Sequence, residues 1–282
     1  MSRLALIAGL LLAVQALQAQ PRLMVTIAPQ LESVRAIAGE GAVVGCLVPP
    51  GASPESYSPT AKEMKRLSDT QLYFAIGAPI ETALLPKIRG AFPGIRIVDA
   101  TAGMSFREIS EEGGHAHHHS GHDPHVWLSV GNMKVHAANV LQALKGAMPE
   151  KAAVYQANYE AYIQSLEVLD RELAAMLSPM AGSAILVFHP AFGYLLESYG
   201  IRQISVEADG KRPTPKHLAN LSRLVKEQAI SRLYVQPQSN EGDAASLASS
   251  LGLVIQRLDP LPSDYSPGMR RLAKALSSPD HD

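Results

Sequence analysis

Two α/β lobes with mainly parallel sheets, joined by one long helix, are the architecture this sequence predicts. Three observations carry it: short β-branched runs alternate with helical stretches, the alternation occurs twice, and one long amphipathic segment separates the two series. The first series has strand-like runs at Leu23 to Ala28, Val43 to Val48, Leu72 to Ile76 and Ile95 to Val98, with helical periodicity between them. The segment from Pro149 to Leu177 follows, opened by a proline suited to a first helical turn. Its apolar positions are Val154, Tyr155, Tyr159, Tyr162, Ile163, Leu166, Leu169, Leu173 and Leu177. That length exceeds a routine crossover helix. The second series runs through Ala184 to Phe188, Gln203 to Val206, Arg232 to Val235 and Leu253 to Leu258. The expected division is a signal peptide at 1–19, an N-terminal lobe at 20–147 with a His-rich loop at 113–125, a linking helix at 148–180 and a C-terminal lobe at 181–282.

The amino terminus reads as an export signal. Met1-Ser2-Arg3 gives a positive start, Leu4 to Leu17 is almost wholly apolar, and Ala16 and Ala19 offer small residues for cleavage, so the mature chain should begin near Gln20. The apolar run is shorter than the ~20 residues that a spanning helix needs. Cys46 is the single cysteine, which excludes an internal disulfide and a cysteine-rich zinc knuckle, and its apolar run marks it as a small core residue. A formal net charge of −1 supplies no basic face for nucleic acid or an anionic membrane.

Six of the ten histidines fall between Gly113 and His125, in Gly-Gly-His-Ala-His-His-His-Ser-Gly-His-Asp-Pro-His. Imidazole is the commonest metal ligand at neutral pH, and a short Gly- and Ser-spaced His tract reads as metal capture. The tract is internal, which argues against a purification tag. In open α/β sheets ligands bind beyond the carboxyl ends of the strands, so polar residues directly after apolar runs are the candidates. His189 follows Ala184 to Phe188, Asp259 follows Leu253 to Leu258, and Glu55 lies in the loop after Val43 to Val48. His125 ends the His-rich tract just before a helix begins. Glu55 also fits, less well, a solvated loop carboxylate, and Asp259 a turn cap before Pro260. His136 and His217 sit in helical stretches as surface or packing residues, and His281 belongs to the terminal tail.

At these residues the chain resembles the periplasmic metal-binding proteins of ABC importers, the zinc- and manganese-uptake group with a rigid linking helix. That family shows Pro-Pro-Gly-Ala-Asp-Pro-His-Ser-Tyr-Glu-Pro, then Asp-Pro-His-Ile-Trp, a strand ending in His before an Ala-Phe-Gly-Tyr-like segment, and an Asp after the last strand. Here the matching segments are Pro49-Pro50-Gly51-Ala52-Ser53-Pro54-Glu55-Ser56-Tyr57-Ser58-Pro59, Asp123-Pro124-His125-Val126-Trp127, His189-Pro190-Ala191-Phe192-Gly193-Tyr194 and Leu258-Asp259-Pro260-Leu261. The His-rich insertion before the second motif resembles the zinc branch. One departure stands out: the family's first histidine is Glu55 in this chain. Gln236 also stands where the family often has Glu, and a neutral amide cannot act as a supporting carboxylate.

The resemblance implies a metal site of Glu55, His125, His189 and Asp259, with His115, His117, His118, His119 and His122 as accessory loop ligands. Two nitrogens and two carboxylates suit Zn2+, and also Mn2+ or Fe2+. It further implies a monomeric periplasmic receptor that passes the ion to an ABC permease in the inner membrane and is not an enzyme. His-Glu-x-x-His, a Ser nucleophile elbow and Cys-x-x-Cys do not occur in the sequence. Two other readings remain at this level: a secreted metallohydrolase with Glu55 as general base, and a metal store built on the His-rich loop alone.

Overall fold

A computed structural model describes residues 20–108, 122–207 and 213–278. The expected signal peptide and His115, His117, His118 and His119 lie outside these residues. The first sheet holds β1 (Arg22–Val25), β2 (Val43–Cys46), β3 (Leu72–Ala75) and β4 (Arg96–Asp99) in the order β2-β1-β3-β4, all parallel. The second holds β5 (Ala184–Val187), β6 (Arg202–Ser205), β7 (Arg232–Val235) and β8 (Val254–Arg257) in the equivalent order β6-β5-β7-β8, again all parallel. Among the described residues every strand is four residues long, shorter than most of the apolar runs that signalled them.

In the first half the helices are α1 (Gln30–Ala38), α2 (Ala61–Lys65), α3 (Pro79–Ala91) and α4 (Val130–Ala147). Local chemistry sets several starts. Thr60 and Glu63 form a reciprocal capping box at α2, Pro79 occupies the first turn of α3, and the Ser129 hydroxyl accepts the Asn132 N–H at α4. The long helix is α5 (Ala152–Leu177), preceded by a single 3-10 turn at Pro149–Lys151. Its buried residues are Tyr155, Tyr162, Leu166, Leu169, Leu173 and Leu177, a stripe at three- and four-residue spacing that faces α1 and α4. The second half adds α6 (Gly193–Ser198), α7 (Pro215–Glu227), α8 (Glu241–Leu251) and α9 (Tyr265–Ser277). Helix α8 is capped by Asn240 and ends at Gly252, whose φ of 68° is the left-handed value that a helix-terminating glycine supplies freely.

One apolar core runs through both lobes. It joins β1 and β3 with α1, α4, α5 and α9, and extends to Ile185, Val187 and Phe192 of the second half. Helix α9, last in sequence, packs on α5 and α1 of the first half. A separate cluster covers the outer face of the second sheet with Leu221, Val225, Ala244 and Ala248.

His136 is a buried packing residue. Its Nδ1 lies 2.8 Å from the Ser33 hydroxyl and its Nε2 3.1 Å from Gln30 Nε2, so Nε2 accepts from the amide and Nδ1–H donates to Ser33. Gln30 in turn accepts the Thr26 and Ile27 N–H groups and donates to Phe74 O, pinning the turn after β1. Burial drives His136 down to about 3. The unfolded chain therefore binds a proton that the native state refuses, and stability is lost as pH falls below the ordinary histidine value. His136→Leu is expected to leave buried groups of Gln30 and Ser33 unpaired and to cost ~1–3 kcal/mol near neutral pH. It should also flatten the loss of stability between about pH 6.5 and pH 4. Urea denaturation of the chelated protein measures both; an unchanged midpoint at neutral pH contradicts the network.

Candidate metal centre

Loops at the carboxyl ends of the parallel strands bring three candidate ligands together. Glu55 comes from the loop after β2, His125 from the segment before α4, and His189 directly follows β5. Their ligand atoms all lie within 4.8 Å of one another. Glu55 Oε1 is 3.0 Å from His189 Nε2 and 3.6 Å from His125 Nε2, and the two imidazole rings meet nearly edge to face at 5.5 Å. A tetrahedral ion with bonds of about 2.0–2.1 Å holds its donors about 3.3–3.4 Å apart, which the two Glu55 separations bracket. The residues present fit a small dication.

Each imidazole is aimed from behind by a carboxylate. His125 Nδ1 is 2.7 Å from Asp123 Oδ1, and His189 Nδ1 is 2.9 Å from Glu207 Oε2. Donation from Nδ1–H orients each ring with its Nε2 toward the cleft, the arrangement that raises ligand basicity in metal sites. Asp123 is almost fully buried and its Oδ1 also accepts the His125 backbone N–H at 2.9 Å. Trp127, fully buried beside His125, donates its indole N–H to Pro260 O at 2.7 Å and so ties the two lobes at the cleft floor. The cleft encloses about 270 Å³, with Gln236, Gln238 and Asn240 among its polar walls. Gln236 Nε2 is buried there without a hydrogen-bond partner among the described residues.

Asp259 does not join the cluster. It is exposed, and its Oδ1 accepts the Leu261 N–H at 3.0 Å with Gln238 Nε2 at 3.4 Å, which is the turn-capping role. The physical reason is local: an Asp before Pro260 closes its own turn, while the cleft is reached by Pro260 and Leu261 instead. His122 also stands apart, in an antiparallel bridge with Glu108 and stacked on Phe106 at 5.0 Å. Residues missed by sequence reasoning are Asp123 and Glu207. Asp123 was visible in the Asp-Pro-His motif; Glu207 follows β6 at a strand end and carried the same positional signal.

Cys46 is half-buried and donates to Val48 O at 3.1 Å; burial pushes its thiol up to about 12, so it offers no thiolate ligand. Burial acts to raise the Glu55 carboxyl, but the His189 hydrogen bond and the two nearby imidazoles outweigh it and hold Glu55 below the usual carboxylate range.

Two parallel-sheet lobes with a ligand cluster between them define a two-lobed α/β binding protein. The chain belongs to the family described as zinc-uptake complex component A, periplasmic, whose model matches residues 23–278. It is similar to the zinc-binding protein AdcA of Streptococcus pyogenes serotype M3, 29% identical over an alignment of 258 residues that covers 85% of this chain and 50% of that protein. The chain thus spans about half the length of that curated relative. Among solved structures, ZnuA is similar at 28% identity and a TM-score of 0.84, covering 91% of this chain and 98% of that one. A ZnuA deletion mutant with zinc bound is similar at the same identity and TM-score, covering 91% and 96%.

His189 supplies a pH test. Burial acts to lower it, but hydrogen bonds to Glu207 and Glu55 prevail and raise it to about 9 in the metal-free protein. Its Nε2 therefore carries a proton at neutral pH that an incoming ion must displace. Metal binding at pH about 7.5 is expected to release close to one proton, and apparent affinity should climb with pH until about 9. Calorimetry in two buffers of different ionisation heat gives the count; no release would overturn the protonated state of His189 in the metal-free protein.

Proposed function

We propose that this chain is an extracytoplasmic zinc-binding receptor that captures the ion and delivers it to an ABC import permease. The observation that carries this reading is the convergence of Glu55, His125 and His189, drawn from both lobes, on one small-ion position. Membership of the zinc-uptake family and likeness to a zinc-bound neighbour support it. The ligand set is Glu55, His125 and His189, with a fourth position for water unless Asp259 leaves its turn. The expected export signal, residues 1–19, accounts for the location outside the cytoplasm, with the lobes dividing near 147 and 180. Among the described residues no helix is long and apolar enough to cross a membrane.

Three protein ligands and an open position also describe hydrolytic zinc sites, where the ion acidifies its bound water and, in proteases, a free carboxylate serves as general base. Here Asp123 and Glu207 are bonded to the ligand imidazoles, Glu55 itself points at both Nε2 atoms, and Gln236 is a neutral amide. That favours binding without turnover. Exchange of the family histidine for Glu55 hardens the site, which keeps Mn2+ and Fe2+ as competing cargo.

Protein purified without chelator should carry one tightly held metal per chain by mass spectrometry, with zinc preferred in competition. Many weakly held ions would instead indicate storage by the His-rich loop. His125→Ala and His189→Ala are each expected to abolish tight binding, because each removes a nitrogen ligand. Glu55→His should retain binding while raising the zinc-to-manganese affinity ratio, and Glu55→Ala should weaken both. A ratio equal in all three proteins, measured at one pH, would place Glu55 outside the coordination sphere.

A further inference from the structure

The seam between the lobes carries a second connection, centred on Arg107, that runs beside the candidate metal position. Arg107 lies just before the residue pair Glu108 and His122, and its carbonyl accepts the Asp123 N–H at 2.9 Å. Its guanidinium donates from Nη1 to Asp123 Oδ2, and from Nε and Nη2 to the two carboxylate oxygens of Glu197 on α6, with Nε to Oε2 at 3.1 Å. Asp123 therefore divides its oxygens: Oδ1 holds His125 and Oδ2 holds Arg107. Tyr194 closes the arrangement. Its hydroxyl donates to Asp123 O at 2.9 Å and accepts the Arg107 N–H at 3.1 Å.

The guanidinium rests directly on Gly193, where a Cβ would overlap its Cζ and Nη1 atoms. That overlap explains glycine at the start of α6 without appeal to backbone conformation. The two connections are parallel in sequence as well as space. An ion would link His125 to His189, whereas Arg107 links Asp123, two residues before His125, to Gly193 and Glu197, four and eight residues after His189. A forked guanidinium is suited to this task because it binds two carboxylates in fixed directions, which a flexible ammonium does not. With 14% of the Arg107 side chain and 2% of the Asp123 side chain exposed, the Asp123 arm is shielded from the solvent that weakens surface pairs, while the Glu197 arm lies at the surface.

We propose that Arg107 is a positioning residue for ion capture: by binding Asp123 and Glu197 over Gly193, it sets His125 in register with His189 before any metal arrives. The inference rests on the metal-binding reading of Glu55, His125 and His189. Partners behind ligand histidines set metal affinity by about 10- to 100-fold in other sites, and Arg107 governs one such partner.

The test compares the parent chain with Arg107→Met, Arg107→Lys, Glu197→Gln and Gly193→Ala. Zinc dissociation constants come from chelator competition, and thermal midpoints are taken with and without zinc. Arg107→Met is expected to weaken zinc roughly 10- to 100-fold with stoichiometry unchanged. Arg107→Lys should recover only part of the loss. Gly193→Ala, which displaces the guanidinium while keeping every charge, should weaken zinc in the same direction, and Glu197→Gln should do so to a smaller extent. The zinc-induced rise in thermal midpoint should shrink in step with affinity. A merely structural role would lower the metal-free midpoint and leave the dissociation constant alone. Parental zinc affinity in Arg107→Met overturns the proposal, as does parental affinity in both Gly193→Ala and Glu197→Gln, which keep it testable if the Arg107 variants fail to fold. If the parent chain itself binds no zinc, the metal reading falls and the proposal with it; if only the variants match the parent, the metal reading stands.

Discussion

A site assembled from two lobes exists only if the lobes keep their relative position. His125 and His189 stand on opposite sides of the cleft, and metal bonds tolerate errors of only about 0.2 Å. The structure meets this constraint with a core that does not stop at the lobe boundary. Helix α5 contributes one continuous buried stripe, α9 returns from the second half to pack on α5 and α1, and Glu32 of α1 accepts the Ser266 N–H at 2.9 Å at the start of α9. The Trp127 to Pro260 hydrogen bond repeats the connection at the cleft itself. Close-packed interiors transmit displacement instead of absorbing it, so a shift of α5 would be felt at the ligands.

The electrostatics of the cleft follow from the same placement. Glu55, Asp123 and Glu207 surround two imidazoles, and Arg107 is the guanidinium that answers one of them directly. Carboxylates held out of water are costly unless a cation compensates them, and a bound dication would be the largest local charge in such a site. In the metal-free protein His189 takes that role by keeping a proton. On the proposed reading, capture would exchange that proton for the ion, and mild acid would favour the proton.

Family likeness and local chemistry part company at two positions. Glu55, where the resemblance expects a histidine, reaches both imidazoles, so oxygen in place of nitrogen would keep the cluster and alter its hardness. Asp259 keeps the family residue but spends its carboxylate on the Leu261 N–H. Residue type at a motif position thus does not decide participation; the hydrogen bonds open to the side chain do.

The sequence by itself determined the alternation of strands and helices, the long central helix and the strand-end places of His189 and Glu55. These are written in local periodicity and in the rule that parallel strands present their carboxyl ends to ligands. Strand-end logic also nominated Asp259, because sequence shows where a residue leaves a strand but not which way its side chain turns. Burial of His136 among Gln30 and Ser33 was only half legible, since a helical histidine fits surface and core alike. What tertiary structure alone decided was pairing across distance. Glu207 stands behind His189 from a neighbouring strand, and Arg107 reaches Glu197 ninety residues away by lying in the space that Gly193 leaves open. Such contacts depend on how two sheets are docked about α5, and docking is set by the summed packing of the core, which no single segment encodes.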